Sequence, residues 1–160
     1  MYPTRAWAPK GKRAVVKEKF QKGTNLTTIA TMTQQGVSEM LCVEGAANGA
    51  ILAHFIRTQL HSVLTKNHTL ILDNASFHHS KIVQKAVAEC GCHVRFLPSY
   101  SPDFSPIELA FSQIKRHLRK VRATSLSQLR AAIVESTNNL TSTYAQSCFN
   151  HCGYLNHAQY

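Results

Sequence analysis

The sequence predicts an α/β fold, a mixed sheet flanked by helices, on three observations. A β-branched, charge-poor segment over Thr24–Thr33 is followed by a turn and a second apolar segment. Helical and strand periodicities then alternate from residue 49 to residue 97. Further amphipathic helices complete the order, and helices of this kind need a sheet face to cover.

Taken in order, residues 1–23 form a basic, turn-rich loop region punctuated by Pro3, Pro9, Gly11 and Gly23, with one short strand over Arg13–Lys19. Thr24–Thr33 and Val37–Val43, joined by Gln34-Gln35-Gly36, form a hairpin. From Gly49 to Leu64, Ile51, Leu52, Phe55, Ile56, Leu60 and Val63 recur at helical spacing. Thr69–Leu72 is a short apolar strand ending on Asp73-Asn74. Ser80–Cys90 is an amphipathic helix with Ile82, Val83, Ala86 and Val87 inward, stopped by Gly91. His93–Leu97 is the next strand, and a turn-dense stretch leads into a long helix from Pro106 to about Arg122. A helix over Leu126–Leu140 follows, with Leu126, Leu129, Ile133 and Leu140 in phase, and the tail from Tyr144 carries one or two last helical turns. The 160 residues make one domain: loop region 1–23, core 24–122 and C-terminal helices 123–160.

Composition narrows the function. Eighteen Lys and Arg against eight Asp and Glu leave a formal charge of +10, which favours phosphate-rich partners, nucleic acid above all. No run of 18 apolar residues could span a membrane, and the cations from Arg5 to Lys19 have no apolar block behind them to make a signal peptide. Five cysteines, an odd number, fit reduced thiols and a cytoplasmic location. Cys90-Gly91-Cys92-His93 and Cys148…His151-Cys152 lack the two-residue cysteine spacing of structural zinc sites.

There are only two aspartates and six glutamates, so their placement is informative. Asp73 ends an apolar strand, where open α/β sheets expose functional groups; an Asx-turn or helix cap explains the same position. Ser105-Pro106-Ile107-Glu108 reads as a capping box, and a Glu in a first helical turn is also kept ionised by the helix dipole. On the same helix Ile107, Phe111, Ile114, Leu118 and Val121 form an apolar stripe. Glu108 heads a column of Ser112, Lys115, Arg119 and Arg122, with Arg116 and Lys120 flanking. Carboxylates at the mouth of a basic stripe suit a metal-dependent enzyme acting on phosphodiesters; a solvated helix face is the bland alternative.

Two segments go further. Leu70-Ile71-Leu72-Asp73-Asn74-Ala75-Ser76-Phe77-His78, followed by Phe96-Leu97-Pro98-Ser99-Tyr100-Ser101-Pro102-Asp103-Phe104-Ser105-Pro106-Ile107-Glu108, resembles the DDE transposases of the mariner superfamily, most of all their bacterial insertion-sequence branch. The 34 residues between Asp73 and Glu108 match that family's spacing. Trp7-Ala8-Pro9-Lys10-Gly11 is similar to the loop after its first catalytic strand, and His151-Cys152-Gly153-Tyr154 to its C-terminal His-x-Gly-Tyr.

The resemblance implies a ribonuclease-H-like domain that binds two Mg2+ (or Mn2+) ions, cuts transposon ends and joins them to target DNA. It makes Asp73 and Glu108 the second and third catalytic acids and metal ligands, and puts Asn74 and His78 near the site. Lys115, Arg116, Arg119, Lys120 and Arg122 are the expected DNA contacts. Trp7, Tyr100 and Phe104 are candidates for base stacking or for packing. A nucleoid-associated protein, a homodimer and an upstream reading-frame product as partner are further expectations. Two departures stand out. Ser105 replaces the family's Asn, and no Asp precedes Asp73, so the first acid and its central strand are missing. The chain then reads as the C-terminal part of the catalytic domain, inactive alone. A non-catalytic nucleic-acid-binding or dimerisation fragment, or a decayed remnant, is the alternative.

Overall fold

The computed structural model describes residues 7–13 and 25–154. The expected strand over Arg13–Lys19 falls almost wholly outside them. β1 (Leu26–Thr33) and β2 (Gly36–Glu44) form an antiparallel hairpin across Gln34-Gln35, with a bulge between Ala30 and Met32. β3 (Thr69–Leu72) and β4 (His93–Phe96) pair in parallel, Thr69 opposite His93 and Leu72 opposite Phe96, with helix α2 (Lys81–Cys90) as the crossover. Gly91 ends α2 in the left-handed conformation at φ 69°, where a side chain would be strained.

The strands lie between two helical layers. On one face Leu52, Phe55, Ile56 and Leu60 pack with Leu70, Val83, Ala86 and Val87, and Ile29 and Leu41 join them from the hairpin. On the other, Ile114 and Leu118 of α3 (Pro106–Val121) meet Ala132 and Ile133 of α4 (Leu126–Asn138), against Leu26, Met40 and Cys42. Met40, Leu41 and Cys42 therefore point alternately to the two layers, as strand geometry requires. Arg130 ties α4 to the hairpin through the Cys42 carbonyl and the Glu44 carboxylate, both at 3.2 Å.

Several expected elements are altered. The helix from Gly49 holds α geometry only over α1 (Gly49–Phe55), continues as a π-helical turn over Ile56–Leu60 and ends there. The Thr58 hydroxyl donates to the His54 carbonyl at 2.8 Å, competing for an acceptor that the α ladder uses. Val63, expected inward, is accordingly exposed. Ile82 of α2 and Val121 of α3 are exposed too, while Ala110 supplies the buried position on α3. The tail forms a full ten-residue helix, α5 (Ser142–His151), capped by the Thr141 hydroxyl, rather than one or two turns.

The two strand pairs remain separate sheets, and among the described residues no strand joins β1 to β3. A cavity of about 570 Å³ lies between them, lined by residues 27–33 of β1 and 69–72 of β3.

Candidate active site

Asp73 follows the last residue of β3 and opens onto that cavity. Its Oδ1 accepts from the Ala75 amide at 3.0 Å, the expected Asx-turn, and from His78 Nδ1 at 2.6 Å. The same His78 nitrogen lies 3.1 Å from the Asp73 carbonyl. Both partners are acceptors, so Nδ1 carries the proton and Nε2 has the lone pair when the ring is neutral. The local turn therefore uses one carboxylate oxygen only. The Asp73 side chain keeps 62% of its surface exposed, against 14% for His78, so the histidine is the wall and the carboxylate the open group.

A second set of contacts holds this loop. Asn74 Nδ2 donates to Ser99 Oγ at 2.7 Å, and Asn74 Oδ1 accepts from His79 Nε2. The His79 ring stacks on Phe96, with centroids 4.1 Å apart. The loop after β3 is thus clamped to the end of β4 by Ser99 and Phe96. Ser99 lies inside the second quoted motif and His79 directly follows the first, and the sequence assigns neither a role. Behind the loop, α1 approaches so closely that a Cβ on Gly49 would lie 2.6 Å from Ser80 Oγ, which is buried without a partner.

Glu108 stands in the first turn of α3 and lines the same cavity, with Ser105, Pro106 and Ile107 beside it. The capping box does not form: Ser105 is the N-cap, but its side chain makes no cap hydrogen bond. Its backbone N–H, which a box glutamate would bind, already donates to the Pro102 carbonyl at 2.9 Å, within the 3-10 turn of Pro102–Phe104. The Glu108 carboxylate is exposed and makes no hydrogen bond among the described residues. Two tyrosines from the C-terminal segment fix its surroundings. Tyr154 donates to the Phe104 carbonyl at 2.7 Å and Tyr144 to the Leu109 carbonyl at 3.2 Å. Burial pushes both hydroxyls above their ordinary range, so both stay protonated as donors at neutral pH.

Asp73 and Glu108 thus reach one cavity from a strand end and a helix start, and apart from His78 on Asp73 neither pairs with a basic side chain among the described residues. Carboxylate oxygens without thiols suit a hard divalent cation, so the pair fits Mg2+ or Mn2+ as part of a ligand set. Among the described residues no three His, Cys, Asp or Glu side chains gather into a group able to hold a metal ion.

Lys115, Arg116, Arg119 and Lys120 are all exposed on α3, and Arg116 bonds Gln113. Arg122 does not continue the column: it is the C-cap, left-handed at φ 51° and ψ 47°. Trp7 and Tyr100 are fully exposed and Phe104 half exposed, and Tyr100 also has a positive φ of 56°. The cysteines are free thiols, and burial raises the Cys90, Cys92 and Cys152 pKa values, so none of these three is an activated thiolate. No helix among the described residues is long and apolar enough to cross a membrane.

No curated protein matches the sequence. Solved structures do. The Mos1 strand transfer complex aligns with a TM-score of 0.74 at 17% identity, over 92% of this chain and 46% of that one. The Mos1 transposase paired-end complex with left transposon end aligns at 0.75 and 16%, with the same coverage. The Mos1 catalytic domain with Raltegravir and Mg aligns at 0.65 and 17%, over 78% of this chain and 68% of that one. The chain thus spans about half the length of the Mos1 transposase chains in those complexes. At such identities the likeness is one of fold, the ribonuclease-H-like fold of a transposase catalytic domain. The sequence match is to the family described as DDE superfamily endonuclease and covers residues 1–130. Four-fifths of the sequence lies inside that match, and the chain belongs to the DDE superfamily endonuclease family.

Proposed function

We propose that residues 1–160 are part of a transposase catalytic domain, of the insertion-sequence kind, whose Asp73 and Glu108 hold divalent ions for DNA cleavage and strand transfer. The observation that carries this is the open carboxylate of each acid at one cavity, left free by an Asx-turn that uses one oxygen and a capping box that does not form. Bound there, Mg2+ or Mn2+ would activate the attacking oxygen and stabilise the leaving one. The chain's own residues then have distinct tasks. His78 Nδ1–H fixes the Asp73 carboxylate through Oδ1, the oxygen that the Asx-turn also uses. Asn74, Ser99 and His79 fix the loop that carries it. Tyr154 fixes the segment before Glu108. Lys115, Arg116, Arg119 and Lys120, with Arg122 beyond the helix end, hold the DNA backbone. The domain we propose is single, with a basic loop region over 1–23, a core with both acidic motifs over 24–122 and C-terminal helices over 123–160. DNA, transposon ends and target, is the partner, which would place the protein at the nucleoid.

Two carboxylates offset the charge of two divalent ions incompletely, so a third acid from outside these residues completes the site. This fits Mos1 relatives roughly twice as long. It also supports a second reading, a DNA-binding fragment without chemistry, because no three-residue metal group exists among the described residues. The test is strand cleavage of a transposon-end duplex in Mg2+ or Mn2+, with the upstream segment supplied. Asp73→Asn and Glu108→Gln should each abolish cleavage while leaving the fold intact, and residues 1–160 alone should be inactive. Cleavage at the original rate by either variant contradicts the assignment.

A further inference from the structure

The Cys90-Gly91-Cys92 motif stands away from the two acids. β3 and β4 run parallel; Asp73 follows the last residue of β3, whereas Cys92 precedes the first residue of β4. The thiols therefore lie at the opposite end of this sheet. Cys90 is the last residue of α2, and Gly91 follows it left-handed at φ 69° and ψ 8°. One residue of helical curvature, of either hand, holds the Cα atoms of its two neighbours about 5.4 Å apart. That separation lies inside the span that a disulfide bridges. Along an unbroken helix two side chains so spaced would diverge. Here the change of hand intervenes, and Cys90 and Cys92 both pack against the core cluster around Phe55 and Val83. Both are half-buried free thiols. Cys90 Sγ lies 3.6 Å from His61 Nδ1 and 3.9 Å from the Ile56 carbonyl, so its S–H has two acceptors, of which one is a base. His61 is exposed at the end of the π-helical turn.

We propose that Cys90 and Cys92 form a redox-active dithiol that reacts with a low-molecular-weight disulfide, with His61 accepting the first proton. Burial raises both thiols, so the pair rests protonated and needs that base. The Cys90 proton passes to His61 Nδ1, and the thiolate attacks one sulfur of the small disulfide. The small S–S bond breaks, Cys90 is left in a mixed disulfide, and the first small thiol leaves with the proton from His61. Cys92 then attacks the Cys90 sulfur, and its proton leaves with the second small thiol. The chain loses two electrons and two protons to form the Cys90–Cys92 bond, and the small disulfide becomes two thiols. A bridge closed over one residue is confined, so an excess of small thiol reopens it. Cys148 and Cys152 are only 2% and 8% exposed, which denies them the same access. None of this involves Asp73 or Glu108, so the proposal does not rest on the catalytic reading.

The test equilibrates the full 160-residue chain in glutathione buffers of rising oxidised fraction, blocks free thiols with N-ethylmaleimide and digests with trypsin. Cleavage after Lys85 and Arg95 releases residues 86–95, which carry both thiols. By mass spectrometry this peptide should become unblocked and two hydrogens lighter. It should do so in buffers roughly tenfold or more less oxidising than those in which Cys42, Cys148 or Cys152 take up glutathione. Cys92→Ser should stop the reaction at a mixed disulfide of Cys90 with glutathione. His61→Asn, at an exposed position, should slow closure roughly tenfold or more at neutral pH. The oxidised fraction reached at equilibrium should stay the same in that variant, whereas a merely structural role would move it. The proposal is overturned if residues 86–95 stay reduced, carry two glutathiones, or oxidise no more readily than the other cysteines. Closure of His61→Asn at the original rate overturns it likewise.

Discussion

If α3 tracks a DNA strand, its exposed cations should set the salt dependence of binding. From Glu108 to Arg119 the helix rises about 16 Å at 1.5 Å per residue, the length of roughly five phosphate steps along one strand. Each phosphate contact removed lowers the slope of log K against log salt by about 0.9. Glutamine at Lys115 and Arg119 should therefore flatten the slope by about 1.8, and at Arg116 and Lys120 as well by up to about 3.6. These side chains are exposed and α3 packs through Ala110, Ile114 and Leu118, so the fold should persist. Arg122 gives an internal contrast, being left-handed at φ 51°. Arg122→Gly removes one charge, for a slope change of no more than about 0.9, while relieving the helix end by roughly 0.4–1 kcal/mol. The assay is anisotropy of a labelled duplex between about 50 and 200 mM salt, with thermal unfolding in parallel. An unchanged slope in the fourfold variant would reduce α3 to a solvated face and refute the reasoning.

Three further outcomes follow from the site's supports. Gly49→Ala should destabilise the chain by about 1–3 kcal/mol in denaturant unfolding, because its methyl meets Ser80 Oγ at 2.6 Å, and Ser80→Ala in the same chain should recover most of the loss. The Tyr154 hydroxyl is raised above its ordinary 10.0 by burial first and by Cys152 second. The folded state thus favours the protonated form: its stabilising bond is whole below pH 10 and is lost as pH rises through the raised value, and Tyr154→Phe should blunt that alkaline loss of stability. Asn74→Ala should raise amide exchange across residues 75–80 by opening the Ser99–Asn74–His79 chain, with little change in α4; unchanged exchange there would deny the clamp.

What local pattern could reach, it reached. The hairpin, the β3–α2–β4 crossover and the positions of Asp73 and Glu108 follow from alternation, helical spacing and turn residues, all short-range signals. Two of the failures share a cause, competition for one hydrogen-bonding group. Thr58 contends for the His54 carbonyl and widens the helix; the Pro102 carbonyl occupies the Ser105 amide and leaves Glu108 free. Neither contest is visible in apolar spacing. Helix α5 buries only the small Ala145 and the thiol Cys148, so large apolar side chains at helical spacing do not mark it. The bond from Tyr154 to Phe104 spans 50 residues and belongs to tertiary structure alone. The separation of the sheets was anticipated only through the family resemblance, whereas the apolar walls between them required coordinates.

The central claim is that Asp73 and Glu108 form one cation site, and paramagnetic broadening by Mn2+ tests it without requiring catalysis. Sub-stoichiometric Mn2+ is added to the 15N-labelled chain and amide line widths are followed, so that even weak occupancy is registered. The account predicts that amides of residues 73–79 and 105–109 broaden together, and that Asp73→Asn or Glu108→Gln diminishes both sets at unchanged unfolding midpoint. Broadening centred on other acids, such as Glu89 or Glu135, or loss of only the mutated residue's own set, would contradict it.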